Sequence, residues 1–388
     1  MDGDLLAAAF EGVEPFTVGL EEEAMLLDPD TLDLAECAPE LLARLGDGPM
    51  PFKLELPASQ LELVTPPRRT VAEAIADLAR ARRELVAAAD GLARPAAAGT
   101  HPYAAEEGAL NPGPRYDRAA EQYGWAARRQ LVCALQVHVA VGGARRTLAV
   151  YNALRAELPL LAALAANAPL RGGVDTGLAS VRPAISGLLP RQGIPPALAS
   201  WDELADGLRW GAAAGAVPEP GFWWWELRPH PRFGTLELRV PDAQTTLADA
   251  AAVAAVVHTL VVELAERHDA GEPLGAAASW RIAENRWSAC RHGVEGTLAD
   301  LDSGERRPTR ERLEALIERL EPVAARIGAA APLADARRLV KRNGALRQRT
   351  VATERGARAL AGWLADRFAD GYDLDRDCGS SRGVLSRP

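Results

Sequence analysis

Residues 16–27 read FTVGLEEEAMLL, a largely apolar run with three consecutive glutamates at its centre. Successive side chains of a strand point to opposite faces. Phe16, Val18, Leu20, Ala24 and Leu26 then share one face, while Thr17, Gly19, Glu21, Glu23 and Met25 share the other. Glu21 and Glu23 stand side by side, and two carboxylates about 4 Å apart repel by roughly 4 kcal/mol at an effective dielectric near 20. A half-buried pair of this kind needs a cation, an arginine or a shared proton. Glu22 points to the apolar side and reads as a structural carboxylate rather than a ligand. A solvated edge strand would account for the same stretch, so the rest of the chain has to choose between the two.

Three further segments repeat the pattern. A strand-like segment at 51–65, PFKLELPASQLELVT, turns Leu61 and Leu63 one way and Gln60 and Glu62 the other. Residues 130–143, QLVCALQVHVAVGG, put Leu131, Cys133, Leu135, Val137 and Val139 on one face and Gln136 and His138 opposite. Residues 222–241, FWWWELRPHPRFGTLELRVP, read as two strands joined by a Pro/Gly turn, with Glu237 and Arg239 on the polar side. A wet sheet face ordinarily carries Thr, Ser, Lys and mixed charges. This one carries mainly carboxylates, with one histidine and one arginine, the donor set of a hard-cation site for Mg2+; the single imidazole points either to Mn2+ tolerance or to a supporting role behind the ligands.

Between these segments, Thr70 and Glu73 form a capping box that opens a helix running to about residue 92, and Ser200 with Glu203 caps another at about 200–214. Helical patterns also cover about 146–166, 246–268, 308–328, 332–340 and 350–369. The long irregular stretch between residues 166 and 197 is a candidate lid or substrate loop. Residues 280–300 carry clustered basic groups without strand alternation, and the tail after Asp373 is polar. With no linker or internal repeat, residues 1–388 read as a single catalytic domain.

Composition removes several function classes. Net charge is -9, with 44 basic and 53 acidic residues, which argues against a nucleic-acid partner. Lysine occurs only at Lys53 and Lys341, so the P-loop lysine motif is absent. Cys37, Cys133, Cys290 and Cys378 are far apart with no CxxC spacing, indicating neither a zinc site nor a disulfide framework. The uncharged apolar run Ala250–Val262 contains His258 and is too short to span a bilayer. The expectation is a reduced, cytoplasmic, soluble protein without a membrane partner.

The segments GLEEE, ELPASQLELVTP, GTHPY, LQVHV, RPHPRFGTLELRVPDAQTTL, ENRW and RNGALRQR occur in this order. Together they resemble the signature of the carboxylate-amine ligase family related to glutamate-cysteine ligase type 2, from about residue 16 to about 350. The resemblance implies an α+β fold of the glutamine-synthetase and guanido-kinase type: a curved, mainly antiparallel sheet whose concave face holds divalent cations and ATP, with helices behind it. It implies Glu21, Glu23, Glu55, Glu62, His138 and Glu237 as metal ligands; the polar-face alternation selects the same side chains except Glu55. Pro57 separates Glu55 from Glu62, so a bend or bulge has to restore its direction.

Arg239, Arg228 and Arg182 are candidate catalytic groups, and Arg232, Arg291 and Gln136 candidate nucleotide contacts, because a guanidinium grips phosphate or carboxylate bidentately. The chain departs from the family's usual pattern at Leu170, Arg171 and Arg342, positions that bear on substrate choice. The implied activity is ATP-dependent joining of a carboxylate, such as the side chain of glutamate, to an amine such as that of cysteine, through an acyl phosphate. Small-molecule amino acids and ATP are the implied partners, together with a homo-oligomeric state. A guanidino phosphotransferase and a catalytically silent nucleotide-binding regulator share the same core and remain as alternatives.

Overall fold

Ten residues of β1 (Val18–Leu27) form the middle of a seven-stranded sheet. The computed structural model describes residues 2–370 apart from 47, 49, 218 and 219, and the polar tail expected after Asp373 lies outside them. The other strands, numbered along the chain, are β2 (Phe52–Leu54), β3 (Gln60–Val64), β4 (Arg94–Ala96), β5 (Leu135–Ala140), β6 (Leu227–His230) and β7 (Thr235–Leu238). Their order is β2-β3-β1-β5-β7-β6, with β4 paired to the end of β1 off this path. Every ladder is antiparallel. Because β1 has partners on both sides, the edge-strand reading of FTVGLEEEAMLL is excluded.

The segment 51–65 is two strands rather than one. Proline has no N–H to give a ladder, and at Pro57 the chain turns back, with the Gln60 N–H donating to the Pro57 carbonyl at 3.2 Å. The resulting hairpin sets Lys53 opposite Glu62, while Glu62 also lies opposite Glu23. Farther along the sheet, Gly19 faces His138 and His138 faces Glu237. These registers gather side chains from distant parts of the chain onto one face.

Helices cover the other face. The Val71–Ala88 helix carries the expected capping box, and Ser200 and Thr246 cap the Trp201–Ala213 and Leu247–Asp269 helices. The stretch expected as one helix at 146–166 is broken by a tight turn at Arg155–Glu157, with Pro159 in the first turn of the second piece. Residues Ser279–His292, which show no strand alternation, form a helix. Two helical stretches, Ala144–Ala165 and Leu247–Asp269, are long and apolar enough to cross a membrane. The second has 94% of its apolar window buried inside the protein and serves as the central core helix. One core cluster extends from Leu6 to Phe368.

Glu22 is where sheet and helices are joined. Its carboxylate is fully buried, and Arg82 from the Val71–Ala88 helix donates to both oxygens at 2.6 and 2.7 Å. The same guanidinium reaches the Gln244 and Thr245 carbonyls at 2.8 and 3.1 Å, and it lies 4.3 Å from the Phe368 ring centroid. Removing one member of such a pair strands a buried charge at a cost of about 3–5 kcal/mol. Arg82→Met should therefore lower stability by that order in urea titrations. Adding Glu22→Leu should recover most of the loss; a double variant no more stable than the single one would show that the pair is not the joint.

Candidate active site

The polar face carries two carboxylate-rich triads. Donor atoms of Glu21, His138 and Glu237 lie within 4.8 Å of one another, and so do those of Glu23, Glu55 and Glu62. The β2–β3 turn explains how Glu55 joins: it follows β2 directly and approaches Glu62 across the hairpin, not along one strand. Between the triads stands Gln136, whose amide donates to Glu23 at 3.0 Å and Glu62 at 3.4 Å. His138 is oriented by a 3.0 Å contact between Nδ1 and the Thr235 hydroxyl. Its Nε2, 3.8 Å from Glu21, is buried without a hydrogen-bond partner. Five carboxylates, one imidazole and that orphaned ring nitrogen fit hard divalent cations.

The arginines divide into two groups. Arg228 donates to both oxygens of Glu237, and Arg239 donates to Glu237 at 2.6 Å and to Gln136. Arg232 is exposed near Phe233, at the mouth of the site. Arg182 lies deeper: Nε donates to Asp242 at 2.7 Å and Nη2 to the Arg239 and Val240 carbonyls, which fixes the strand end carrying Arg239. Arg291 is exposed beside the Gly177 turn, away from the triads. The arginine that its helix does send inward is Arg286, clamped on both oxygens of Glu226 at 2.7–3.0 Å. Five helical positions rotate a side chain by about 140°, so Arg291 and Arg286 cannot share a face.

Lys53, Arg115, Glu226 and Arg286 escaped the sequence reading. Lys53 had a signal, being a rare lysine on the polar parity of the hairpin, and its ammonium lies 3.1 Å from Glu62 and 3.4 Å from Glu21. Arg286 sits within ENRW, and the i, i+3, i+4 spacing of a helix would have pointed it inward with Ile282.

A cleft of about 410 Å³ is lined by Glu21, Glu55, Glu62 and Gln136, so by members of both triads, and two further cavities flank it. A space of about 920 Å³ adjoins Glu21, His138, Arg232 and Thr235, with apolar walls from Leu20, Val64 and Pro66. A smaller one of about 150 Å³ adjoins Glu23, Glu55, Arg182 and Arg239. Residues from the irregular stretch, including Pro183, Ser186 and Leu189, line the smaller cavity. Leu170, Arg171 and Arg342 line neither.

A sequence profile described as Glutamate-cysteine ligase family 2 (GCS2) matches residues 17–361. The chain belongs to that family. A relative from Rubrobacter xylanophilus, provisionally named glutamate–cysteine ligase 2-3, is 40% identical over 368 residues, or 93% of this chain and 99% of the relative. One from Rhodococcus jostii, provisionally named glutamate–cysteine ligase 2-2, is 36% identical over 92% of this chain and 97% of its own. Among solved structures, the Francisella tularensis glutamate–cysteine ligase in complex with AMP matches with a TM-score of 0.69 at 14% identity, over 92% of this chain and 89% of that one. A bifunctional glutathione synthetase from Pasteurella multocida gives 0.61 at 15% identity, over 94% of this chain and 53% of that one. These likenesses establish the fold class read from the sequence, and membership of the family makes the chain a ligase.

In this member of glutamate–cysteine ligase family 2 the two triads have opposite electrostatics. Burial raises Glu23 to about 7, helped by repulsion from Glu55. Burial likewise raises Glu55, and burial with repulsion from Glu55 and Glu21 lifts Glu62 well above the carboxylate range. Burial would also raise Glu21, but His138 and Lys53 outweigh it and hold that group low. At Glu237, Arg228 and Arg239 overcome burial, and the carboxyl stays well below its usual range.

For Glu23 the unfolded chain ionises near 4.5 and the folded one near about 7. Between those values the folded state binds the extra proton. Its contribution is fully present below the unfolded value and is lost as pH rises through the folded one. The metal-free protein should therefore lose thermal stability from about pH 5 to pH 8, and Glu23→Gln should flatten that slope. Since metal ligands must be deprotonated, Mg2+ should raise the melting temperature more at the upper end of the range. An unchanged slope in Glu23→Gln would remove Glu23 as its source.

Proposed function

We propose that the chain is an ATP-dependent carboxylate–amine ligase that forms an amide through an acyl phosphate, with Glu21, His138 and Glu237 holding one divalent cation site and Glu23, Glu55 and Glu62 another. The observation that carries this reading is the pairing of the triads: two clusters of cation-binding donor atoms side by side, which line one shared cleft and each border a further cavity. The larger cavity suits a nucleotide, having apolar walls for a base and a charged end at Glu21 and His138. The AMP held by the Francisella enzyme of the same fold supports an adenine nucleotide. The smaller cavity then belongs to the acid and the amine.

Mg2+ or Mn2+ bound at the triads would neutralise phosphate charge as the phosphoryl group moves. The chain's own residues do the rest. Arg239 carries a charge strengthened chiefly by Glu237 and Glu23 against burial, and it stands between the triads, where it steadies the phosphoryl in transit. Arg228 keeps Glu237 ionised and oriented. Arg182, tied to Asp242, positions Arg239 through its carbonyl, while exposed Arg232 at the larger cavity contacts the nucleotide. The acid's carboxylate oxygen attacks the γ-phosphorus and ADP leaves. The deprotonated amine then attacks the acyl carbon, the amide forms and inorganic phosphate departs.

A screen of acids and amines with ATP and Mg2+, read by phosphate release and nucleotide chromatography, should give ADP in step with amide. Stoichiometric AMP would mean adenylation and overturn the acyl phosphate; phosphate transfer without amide would favour a phosphotransferase. Glu23→Gln and Glu237→Gln should each lower turnover by about a hundredfold or more, in the range of losing a charge-stabilising group, with circular dichroism unchanged. Near-normal turnover of Glu23→Gln at low Mg2+ would refute the ligand assignment.

A further inference from the structure

We propose that the cavity beside Glu23 and Glu55 receives an apolar substrate group about the size of a benzene ring, carried by a substrate whose carboxylate is held by Arg115. The inference rests on the ligase reading for the place of the cavity, and its own support lies in the walls. Tyr116, Tyr123, Phe222 and Trp224 supply aromatic wall alongside the charged lining of Glu23, Glu55, Glu226 and Arg239 in the same cavity, with Ala119 contributing a small buried surface from the Pro114–Tyr123 helix. The rings brace one another: Tyr123 and Trp224 meet edge to face at 5.5 Å, and Phe222 lies tilted against Trp224 at 5.4 Å. Tyr123 is further pinned by Arg191, which donates to its hydroxyl at 2.8 Å. A rigid aromatic wall receives an apolar group with little reorganisation.

The volume supplies the size. At about 150 Å³ the space matches the apolar cavities that admit benzene. A cysteine side chain, one methylene and a sulfur, would fill only part of it.

Arg115 supplies the second anchor. It lines both this cavity and the cleft holding Glu21, Glu55 and Glu62. Arg182 and Arg239, the other cations lining the cavity, are committed to Asp242 and to Glu237 with Gln136, and Arg286 behind the wall is committed to Glu226. Arg115 makes no hydrogen bond or ion pair among the described residues, and its charge acts on Glu55 from a distance. Its neighbour Tyr116 ties the helix to β2 by donating to the Leu54 carbonyl at 2.5 Å. An unpaired guanidinium at the rim of a cavity partly walled by aromatic rings, beside the proposed phosphoryl-transfer site, is a carboxylate receptor.

Calorimetry with the full chain, Mg2+ and ADP, using L-phenylalanine and L-serine as probes, tests this without turnover. Wild type should bind L-phenylalanine about tenfold or more tightly than L-serine, the scale of burying one large apolar side chain. Ala119→Phe should erase that ratio. Arg115→Gln should weaken both probes about tenfold or more, and Arg115→Lys should recover part of the loss. Arg115 is exposed, so its variants test the proposal even if Ala119→Phe fails to fold.

Equal affinities in wild type, a ratio unaltered by Ala119→Phe in a folded protein, or binding indifferent to Arg115→Gln would each overturn the assignment. Because binding is read apart from catalysis, probe binding without amide formation would count against the ligase reading alone. Where amide does form with L-phenylalanine, the mass of the product shows whether the apolar group enters on the amine or on the acid.

Discussion

Carboxylates buried next to one another on a single sheet repel, and the fold is arranged around the cations that answer that repulsion. Glu22 faces the helices and takes a permanent partner in Arg82. Glu21, Glu23, Glu55, Glu62 and Glu237 face the other way, where Arg228 and Arg239 are committed to Glu237 and Lys53 bridges Glu21 and Glu62. The joint behind the sheet is closed to solvent, whereas the lysine in front keeps about half of its side chain exposed. One strand therefore serves both stability and chemistry, and strand alternation keeps the two roles on separate faces.

Much of this was legible because strand parity is a strict code. Once FTVGLEEEAMLL is a strand, Glu21 and Glu23 must share a face and Glu22 must leave it, and Gln136, His138, Glu62, Glu237 and Arg239 follow by the same count. Capping residues were equally readable, since Thr70 and Ser200 act within one helical turn. Parity failed where the chain turns. Pro57 made a hairpin out of an apparent single strand, and that hairpin is what brings Lys53 and Glu55 to the cluster. The partners of the arginines were out of reach, because Arg82 meets residues 60 and 163 positions away.

Burial of arginine is common in this core, and it separates scaffold from site. Arg82, Arg155, Arg182 and Arg286 are buried, and each has its guanidinium engaged by carboxylates, carbonyls or a hydroxyl. Arginine suits this use because its planar fork satisfies several acceptors at once and its charge persists when buried. Arg182 shows why a sequence cannot rank these residues: it stands at the cavity wall, yet its hydrogen bonds run to Asp242 and the strand end behind Arg239. Proximity to a site and availability to a ligand are separate properties, and only the partners distinguish them.

The two triads show how the same residue type acquires different character a few ångströms apart. At Glu21 and Glu237 the chain supplies its own positive charge through Lys53, Arg228 and Arg239, so these carboxylates are ionised well below neutral pH. At Glu23, Glu55 and Glu62 burial dominates, and the nearest cations offset it only in part, leaving groups that give up their protons at higher pH than ordinary carboxylates do. A divalent cation entering the first triad meets formed charge but must share Glu237 with two arginines. One entering the second must displace protons, and it relieves a repulsion that the chain leaves largely uncompensated. Strand parity places Glu21, Glu23, Glu62 and Glu237 on one face without distinguishing them, and the hairpin adds Glu55; the difference comes from which cations the hairpin and the last two strands bring alongside.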